Sequence, residues 1–404
     1  MPTLADAFRR HLPPTGAADP DYVPHLVAAM LAAAREVRAT DVHLVPLAQS
    51  LAMFWRIDGV LQPVLEFPPE LAPRIIARLK VLARLLTYQT ELPQEGRMQT
   101  ERGTAVDETR LSTFPTLFGE KGVIRLFQGE GRYQRLPELG LPAEVLATLQ
   151  GLLGETGGVI LLTGPAGSGK TTTIYAAMRE LADKSGGGRS LVSLEDPIEV
   201  VVPGVAQSQV HPACGFDMPT GLRSLMRQDP EVIMVGEIRD RQTAETVFQA
   251  ALTGHLVLTT FHAGSAAQGI NRLLDMGLEP YLLRSAIRAI VCQRLARKLC
   301  GCARVSEAEA DRLGLPLTST TCRVPVGCPA CQGTGYQGRL LLAEMLLPEQ
   351  TELGREILSR SDAARLEQSA IAAGMVPQLS RGCAAVEAGL TSPAEIRRIL
   401  GFAR

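Results

Sequence analysis

The ten residues "GPAGSGKTTT", Gly164 to Thr173, constrain this chain more than any other stretch. Gly164, four intervening residues and then Gly169-Lys170-Thr171 fit the pattern G-x-x-x-x-G-K-[ST]. The flanks agree with that reading. "GGVILLT" before the loop is a short, apolar run of the kind that fills a buried parallel strand. "TTIYAAMRELAD" within and after it has helical spacing and good helix formers. A glycine loop between such a strand and such a helix turns its backbone N–H groups inward. The helix N-terminus adds partial positive charge. Gly164, Pro165, Ala166, Gly167, Ser168, Gly169, Lys170, Thr171 and Thr172 are therefore the expected phosphate cradle of a nucleotide site. In such a site Lys170 reaches the β- and γ-phosphates and Thr171 offers its hydroxyl to Mg²⁺.

The length, 404 residues, suits two or three domains of ordinary size. Hydrophobic residues make up 46%, enough for real cores. The formal net charge of −1 argues against a surface that coats nucleic acid. No apolar run approaches the ~18 residues of a membrane span, and "MPTLADAFRRHLPP" lacks the apolar centre of a signal peptide. Cytosolic residence is the expectation, and there the eight cysteines read as metal ligands or buried thiols before disulfides.

The rhythm along the chain divides it. Residues 1–128 mix short alternating strands with helices and form an α+β domain. In it, "LAMFWRIDGVLQPV" reads as two strands around an Asp58-Gly59 turn. "PRIIARLKVLARLL" reads as a helix with Arg and Lys on the face away from its apolar stripe. Residues 129–142, "GEGRYQRLPELGLP" and its surroundings, are a linker by composition. From 143 to 298 strand and helix alternate. Four buried-strand candidates, "GVILLT", "SLVSLE", "EVIMVGE" and "HLVLTTF", predict a parallel sheet covered by helices. A cysteine-rich element occupies 299–346, and 347–404 is mostly helical.

Ligands in open α/β sheets lie at the carboxyl ends of strands, and several polar residues fall there. "SLEDPIE" places Glu195, Asp196 and Glu199 where they can bind Mg²⁺ waters or polarise an attacking water. "EVIMVGEIRD" ends its apolar run at Gly236-Glu237, a position for a general base. No aspartate directly precedes Glu237, which leaves the metal contact to Thr171 and the "EDPIE" carboxylates. "TGHLVLTTFHA" holds His255 and His262 at opposite ends of one strand, about 20 Å apart. Only His262 is on the ligand side. Arg223 and Arg227, four apart in "GLRSLMRQDP", share a helix face and suit phosphate oxygens, in cis or on a neighbouring subunit. "CGC" (Cys300, Cys302) and "CPAC" (Cys328, Cys331) pair cysteines on two tight turns, as structural zinc requires. The one-residue spacing of "CGC" is poorer knuckle geometry. It leaves Cys322 as a rival ligand and buried thiols without metal as the other reading.

Taken in order, these motifs resemble those of the ATPases of type II secretion and type IV pilus assembly. The resemblance covers nearly the whole chain. The family's Walker A loop, Asp box, atypical Gly-Glu Walker B and His box match Gly164–Thr171, "LEDPIE", "IMVGEIRD" and "TGHLVLTTFHA". "ATDVHLVP", "FWRIDGVL", "LPQEGRM" and "RLSTFPTLFGEKGVIRLF" look like the family's domain ahead of the motor core. The resemblance implies an α/β fold: a RecA-like P-loop ATPase core with a preceding α+β domain, a zinc element and C-terminal helices. It implies ATP and Mg²⁺ as cofactors, Zn²⁺ in the cysteine element, and Arg110 and Arg125 reaching nucleotide from the first domain. It also implies a homohexamer peripheral to the inner membrane, driving a platform protein that extrudes a pseudopilus or pilus. The cysteine element favours assembly over a retraction motor. Members of this branch usually carry an extra N-terminal docking domain, and only about twenty residues precede the first matching helix here. A RecA-like motor on nucleic acid is the alternative. The near-zero charge, 4% aromatic content and lack of an arginine–aromatic tract stand against it. A non-hydrolysing nucleotide-gated scaffold is a third reading, opposed by the intact Lys170, Thr171 and Glu237.

Overall fold

The computed structural model describes residues 3–12, 19–99, 108–126, 134–349 and 351–401. The chain forms two units, one of residues 1–131, 299–304 and 324–338, the other of the remainder. The first part of the expected linker, residues 129–133, lies outside the described residues.

In the first unit, α1 (Leu4–Arg9) and α2 (Tyr22–Glu36) precede β1 (Asp41–Pro46), β2 (Leu51–Ile57) and β3 (Val60–Phe67). α3 (Leu71–Leu82), β4 (Gln94–Gln99), β5 (Glu108–Thr116) and β6 (Gly119–Arg125) follow. The strands make one sheet in the order β3-β2-β1-β6-β5-β4. The turn between β2 and β3 is the expected one: Asp58 and Gly59 have φ of +47° and +81°, and Ile57 pairs with Val60. Val42 and Leu44 alternate inward from β1 to pack with Trp55, Phe8, Ile75 and Leu79. One expectation is corrected. Lys80 is not on a solvated face of α3 but fully buried, where Glu120 pairs with it at 2.5 Å and the carbonyl of Gln89 accepts from it at 2.8 Å. A buried ammonium needs such partners, and the spacing of apolar residues cannot announce them.

The second unit begins with α4 (Ala143–Leu152), β7 (Gly158–Thr163), α5 (Lys170–Ser185), β8 (Leu191–Glu195) and β9 (Ala206–Gln209). It continues with α6 (Met218–Leu225), β10 (Val232–Val235), α7 (Arg241–Leu252), β11 (Leu256–Phe261), α8 (Ala266–Asp275) and α9 (Pro280–Ala286). Then come β12 (Ile287–Leu299), the short pair β13 (Arg304–Ser306) and β14 (Cys322–Val324), and β15 (Tyr336–Leu346), of which residues 299–304 and 324–338 count with the first unit. α10 (Thr351–Leu358), α11 (Ala363–Ala372), α12 (Gln378–Glu387) and α13 (Pro393–Leu400) close the chain. The central sheet runs β15-β12-β7-β11-β10-β8-β9, and from β12 to β9 every neighbouring pair is parallel. β7, β8, β10 and β11 are the four expected buried strands, and all their residues are buried. Each face of the sheet carries its own apolar core, with Val159, Leu161 and Phe248 in one and Ile160, Leu162 and Met178 in the other. β12 is a strand that the pattern did not single out. Among the described residues no helix is long and apolar enough to cross a membrane.

Candidate functional site: the phosphate loop and the adjoining strand ends

The loop between β7 and α5 is shaped by glycine. Gly164, Gly167 and Gly169 have φ of +140°, +73° and +94°. At Gly164 there is also no room for a side chain, since a Cβ there would lie 2.5 Å from the carbonyl oxygen of Gln293 and 2.5 Å from Ser168 Oγ. β12 therefore runs hard against the loop, and Gln293 beside it exchanges hydrogen bonds with Thr173 on α5. The buried Lys170 folds back over the loop and donates to the carbonyls of Gly164 (2.9 Å) and Pro165 (3.0 Å). Burial lowers its pKa, and the nearby Glu237 carboxylate opposes that shift. α5 starts at Lys170 with no side-chain cap, so its first N–H groups point at the loop's interior. Thr171 is half-buried and Thr172 exposed in that first turn.

The neighbouring strand ends converge on the same side. Glu237 Oε1 meets His262 Nε2 at 2.9 Å, and Glu237 Oε2 accepts from Arg239 Nε at 2.7 Å. Arg239 also donates to Asp196 Oδ2 at 3.0 Å. Glu237, His262, Asp196 and Arg239 thus form one chain of polar contacts across the ends of β8, β10 and β11. The Glu237 carboxylate raises the pKa of Arg239. Arg239 was not among the sequence candidates, although "GEIRD" shows it two residues after Glu237. His255, at the other end of β11, bonds locally to Ala250 and Thr253.

Glu195, expected to bind Mg²⁺ waters or polarise an attacking water, is only 2% exposed, and both of its oxygens accept from protein donors. Ser193 donates to Oε1 at 2.5 Å, Gln207 donates to Oε1 at 2.9 Å, and Tyr175 donates to Oε2. The Tyr175 hydroxyl in turn accepts from the backbone N–H of Glu199 at 3.1 Å. Burial, with the Glu195 charge, pushes the Tyr175 pKa upward. Tyr175 was missed because a tyrosine on a helix reads as core; only its place one turn beyond Lys170 marks it.

Arg223 and Arg227 do not share one helix. α6 ends at Leu225, and Arg227 beyond it donates back to the Arg223 carbonyl at 2.9 Å. Both are exposed. Arg110 and Arg125 belong to the first unit, where they sit opposite each other on β5 and β6, and Arg125 pairs with Asp41 at 3.4 Å.

Also in the first unit, the sulfurs of Cys300, Cys302, Cys328 and Cys331 all lie within 4.8 Å of one another. The separations are 3.7 Å for Cys300–Cys328, 3.9 Å for Cys302–Cys331 and 3.8 Å for Cys328–Cys331. A tetrahedron with metal–sulfur bonds near 2.3 Å has edges of about 3.8 Å, so the donor set fits one ion. N–H donation from Cys328 and Gly335 draws the Cys331 thiol down to about 7 against the push of burial, whereas burial holds the Cys302 thiol up at about 11, so the fit to a metal rests on the spacing of the sulfurs. Cys322 lies on β14 and is not in this group.

A parallel sheet, a glycine loop closing on a helix N-terminus, a buried lysine and a glutamate on a neighbouring strand end define a P-loop ATPase. The comparisons with known proteins narrow this. Residues 16–398 match the family described as "Type II/IV secretion system protein", and the chain belongs to that family. The putative type II secretion system protein E of Escherichia coli (strain K12) is 40% identical over 348 residues, which is 85% of this chain and 70% of that protein. The type IV pilus assembly ATPase PilB of Myxococcus xanthus (strain DK1622) is 38% identical over 389 residues, 94% of this chain and 68% of that protein. Among solved structures, the Legionella pneumophila ATPase DotB aligns with a TM-score of 0.70 at 19% identity, covering 96% of this chain and 98% of that one. The pilus retraction motor PilT with bound ADP aligns at 0.59 and 24% identity, covering 92% and 95%. At these identities the solved structures speak for the fold alone.

Proposed function

We propose that this ATPase is a motor for assembly of a pseudopilus or pilus, turning over Mg²⁺-ATP as a homohexamer on the cytoplasmic side of the inner membrane. The observation that carries the reading is kinship, over 85% and 94% of this chain and 70% and 68% of the relatives, to proteins named for type II secretion and for type IV pilus assembly. Residues 164–172 hold the phosphates, with Lys170 on the β- and γ-oxygens. Thr171 would hold Mg²⁺, which neutralises charge on the transferring phosphoryl group when bound. Glu237 takes the proton of the attacking water, and His262 and Arg239 orient its carboxylate. Glu195 braces α5 against β8 through Tyr175, and Glu199 follows on the same segment. Arg223, Arg227, Arg110 and Arg125 are the arginines offered to nucleotide, in cis or from a neighbouring subunit. The platform protein of the inner membrane is the partner that receives the work. The four-cysteine element holds zinc.

The test is turnover and nucleotide binding side by side. Lys170→Ala loses both, whereas Glu237→Gln keeps binding and loses turnover. Specific activity rises as the protein assembles. Constant activity per subunit down to a monomeric dilution would remove the shared-site part of the reading, and strong stimulation by DNA would replace the motor class. Elemental analysis of protein purified without chelator gives about one zinc per chain if the four thiolates bind it. Cys302→Ser then loses the metal and Cys322→Ser keeps it.

A further inference from the structure

The catalytic reading leaves Glu344 unused. This residue sits in β15, is 2% exposed, and lies far along the chain from every nucleotide motif. A buried carboxylate needs a reason. Its two oxygens have different partners. Oε1 accepts from the backbone N–H of Ala266, the first residue of α8, at 2.8 Å. Oε2 accepts from the backbone N–H of Gln378, the first residue of α12, at 3.1 Å. One side chain thus closes the N-termini of two helices that are more than a hundred residues apart in sequence.

α8 starts directly after the segment that carries His262. That segment is tied at several points. The Gly264 carbonyl accepts from Arg294 at 3.0 Å and from Cys292 Sγ at 3.6 Å, the His262 carbonyl accepts from Arg272, and Ser265 caps α8 by accepting from Gln268. The Gln378 side chain completes the ring by donating to the Cys292 carbonyl at 2.9 Å. Glu344 therefore binds the start of α8 and the start of α12 with one side chain.

We propose that Glu344 is a positioning residue for ATP hydrolysis: it fixes the 262–265 segment so that His262 holds Glu237, and it makes that hold depend on the C-terminal helix α12. The inference rests on the proposed roles of Glu237 and His262. It gives the C-terminal helices a direct mechanical path to the base without any contact with nucleotide.

The experiment is a double-mutant cycle on the full chain, with kcat for Mg²⁺-ATP and Kd for Mg²⁺-ADP measured together. Glu344→Ala is expected to lower kcat about tenfold while Kd moves less than about twofold. In a His262→Ala background the same substitution should change kcat by less than about twofold, because the link it breaks is already gone. Glu344→Gln should fall between, since its amide oxygen still accepts one N–H while its NH₂ faces the other. If Glu344→Ala does not fold, Glu344→Gln carries the same cycle, because Gln378 offers Glu344 its backbone N–H and no side-chain change at 378 removes that bond. Equal losses in both backgrounds, or a lower melting temperature with kcat unchanged, would overturn the proposal. A separate failure is recognisable: if His262→Ala and Glu237→Gln alone leave kcat intact, the catalytic reading beneath it is what fell.

Discussion

β8 and β10 are hydrogen-bonded neighbours, and each delivers a glutamate to the same edge of the sheet. Their fates differ. Glu195, the last residue of β8, is sealed in by Tyr175, Ser193 and Gln207. Glu237, two residues past β10, has a side chain one-fifth exposed, and its partners His262 and Arg239 are themselves open to solvent at 47% and 61%. A carboxylate whose acceptor sites are all filled inside the protein fixes structure, because freeing it exposes several unsatisfied donors at once. One whose partners can turn toward water or phosphate is available for chemistry.

The largest effect that tests this contrast is at Glu237. Glu237→Gln keeps the shape and removes the proposed base, so kcat should drop about 10²- to 10⁴-fold with nucleotide affinity held. A drop below threefold would put the base elsewhere. Glu195→Gln should act the other way round. Its amide cannot accept from all three donors, so chemical denaturation should show a loss of about 1–3 kcal/mol, with a smaller change in kcat than at Glu237. If Glu195→Gln leaves stability untouched and abolishes turnover, the two strand ends have been assigned in reverse. Tyr175→Phe removes one donor of the same cluster and should cost about 1–2 kcal/mol in the same assay. Arg239→Gln is the mildest, since its ion pairs are exposed and worth about 0–1 kcal/mol. Its melting temperature should barely move, and kcat should change less than about threefold unless Arg239 does more than orient Glu237.

The sequence was most readable where local chemistry and local shape coincide. The phosphate loop is contiguous, its glycines adopt the conformations their lack of a side chain permits, and its strand and helix are where the flanks put them. Glu237 and His262 were readable as strand-end residues because apolar strands mark their own ends. Their 2.9 Å contact was not, since it depends on β10 and β11 being neighbours. The burial of Glu195 was not readable for the same reason: the sequence shows a carboxylate at a strand end but not that Tyr175 comes across from α5 to meet it. Arg227 failed at a helix end, where α6 stops two residues short of it. Lys80 failed because its neutralising partner Glu120 is forty residues away. β12 carries arginines and a lysine in an apolar run, a mixture that gives neither strand nor helix period cleanly.

The cysteine turns sit in a particular gap. The chain leaves the central sheet at the end of β12 and re-enters it as β15, and these two strands lie side by side. Everything between them, both cysteine pairs included, is an excursion that begins and ends at adjacent places in the sheet. The excursion is nonetheless anchored. Arg397 of α13 donates to the carbonyls of Leu313 and Gly314, and Glu387 of α12 accepts from Thr318. The stretch between the two cysteine pairs is therefore moored to the closing helices, and a change in its length would be felt first there and not in the order of the strands.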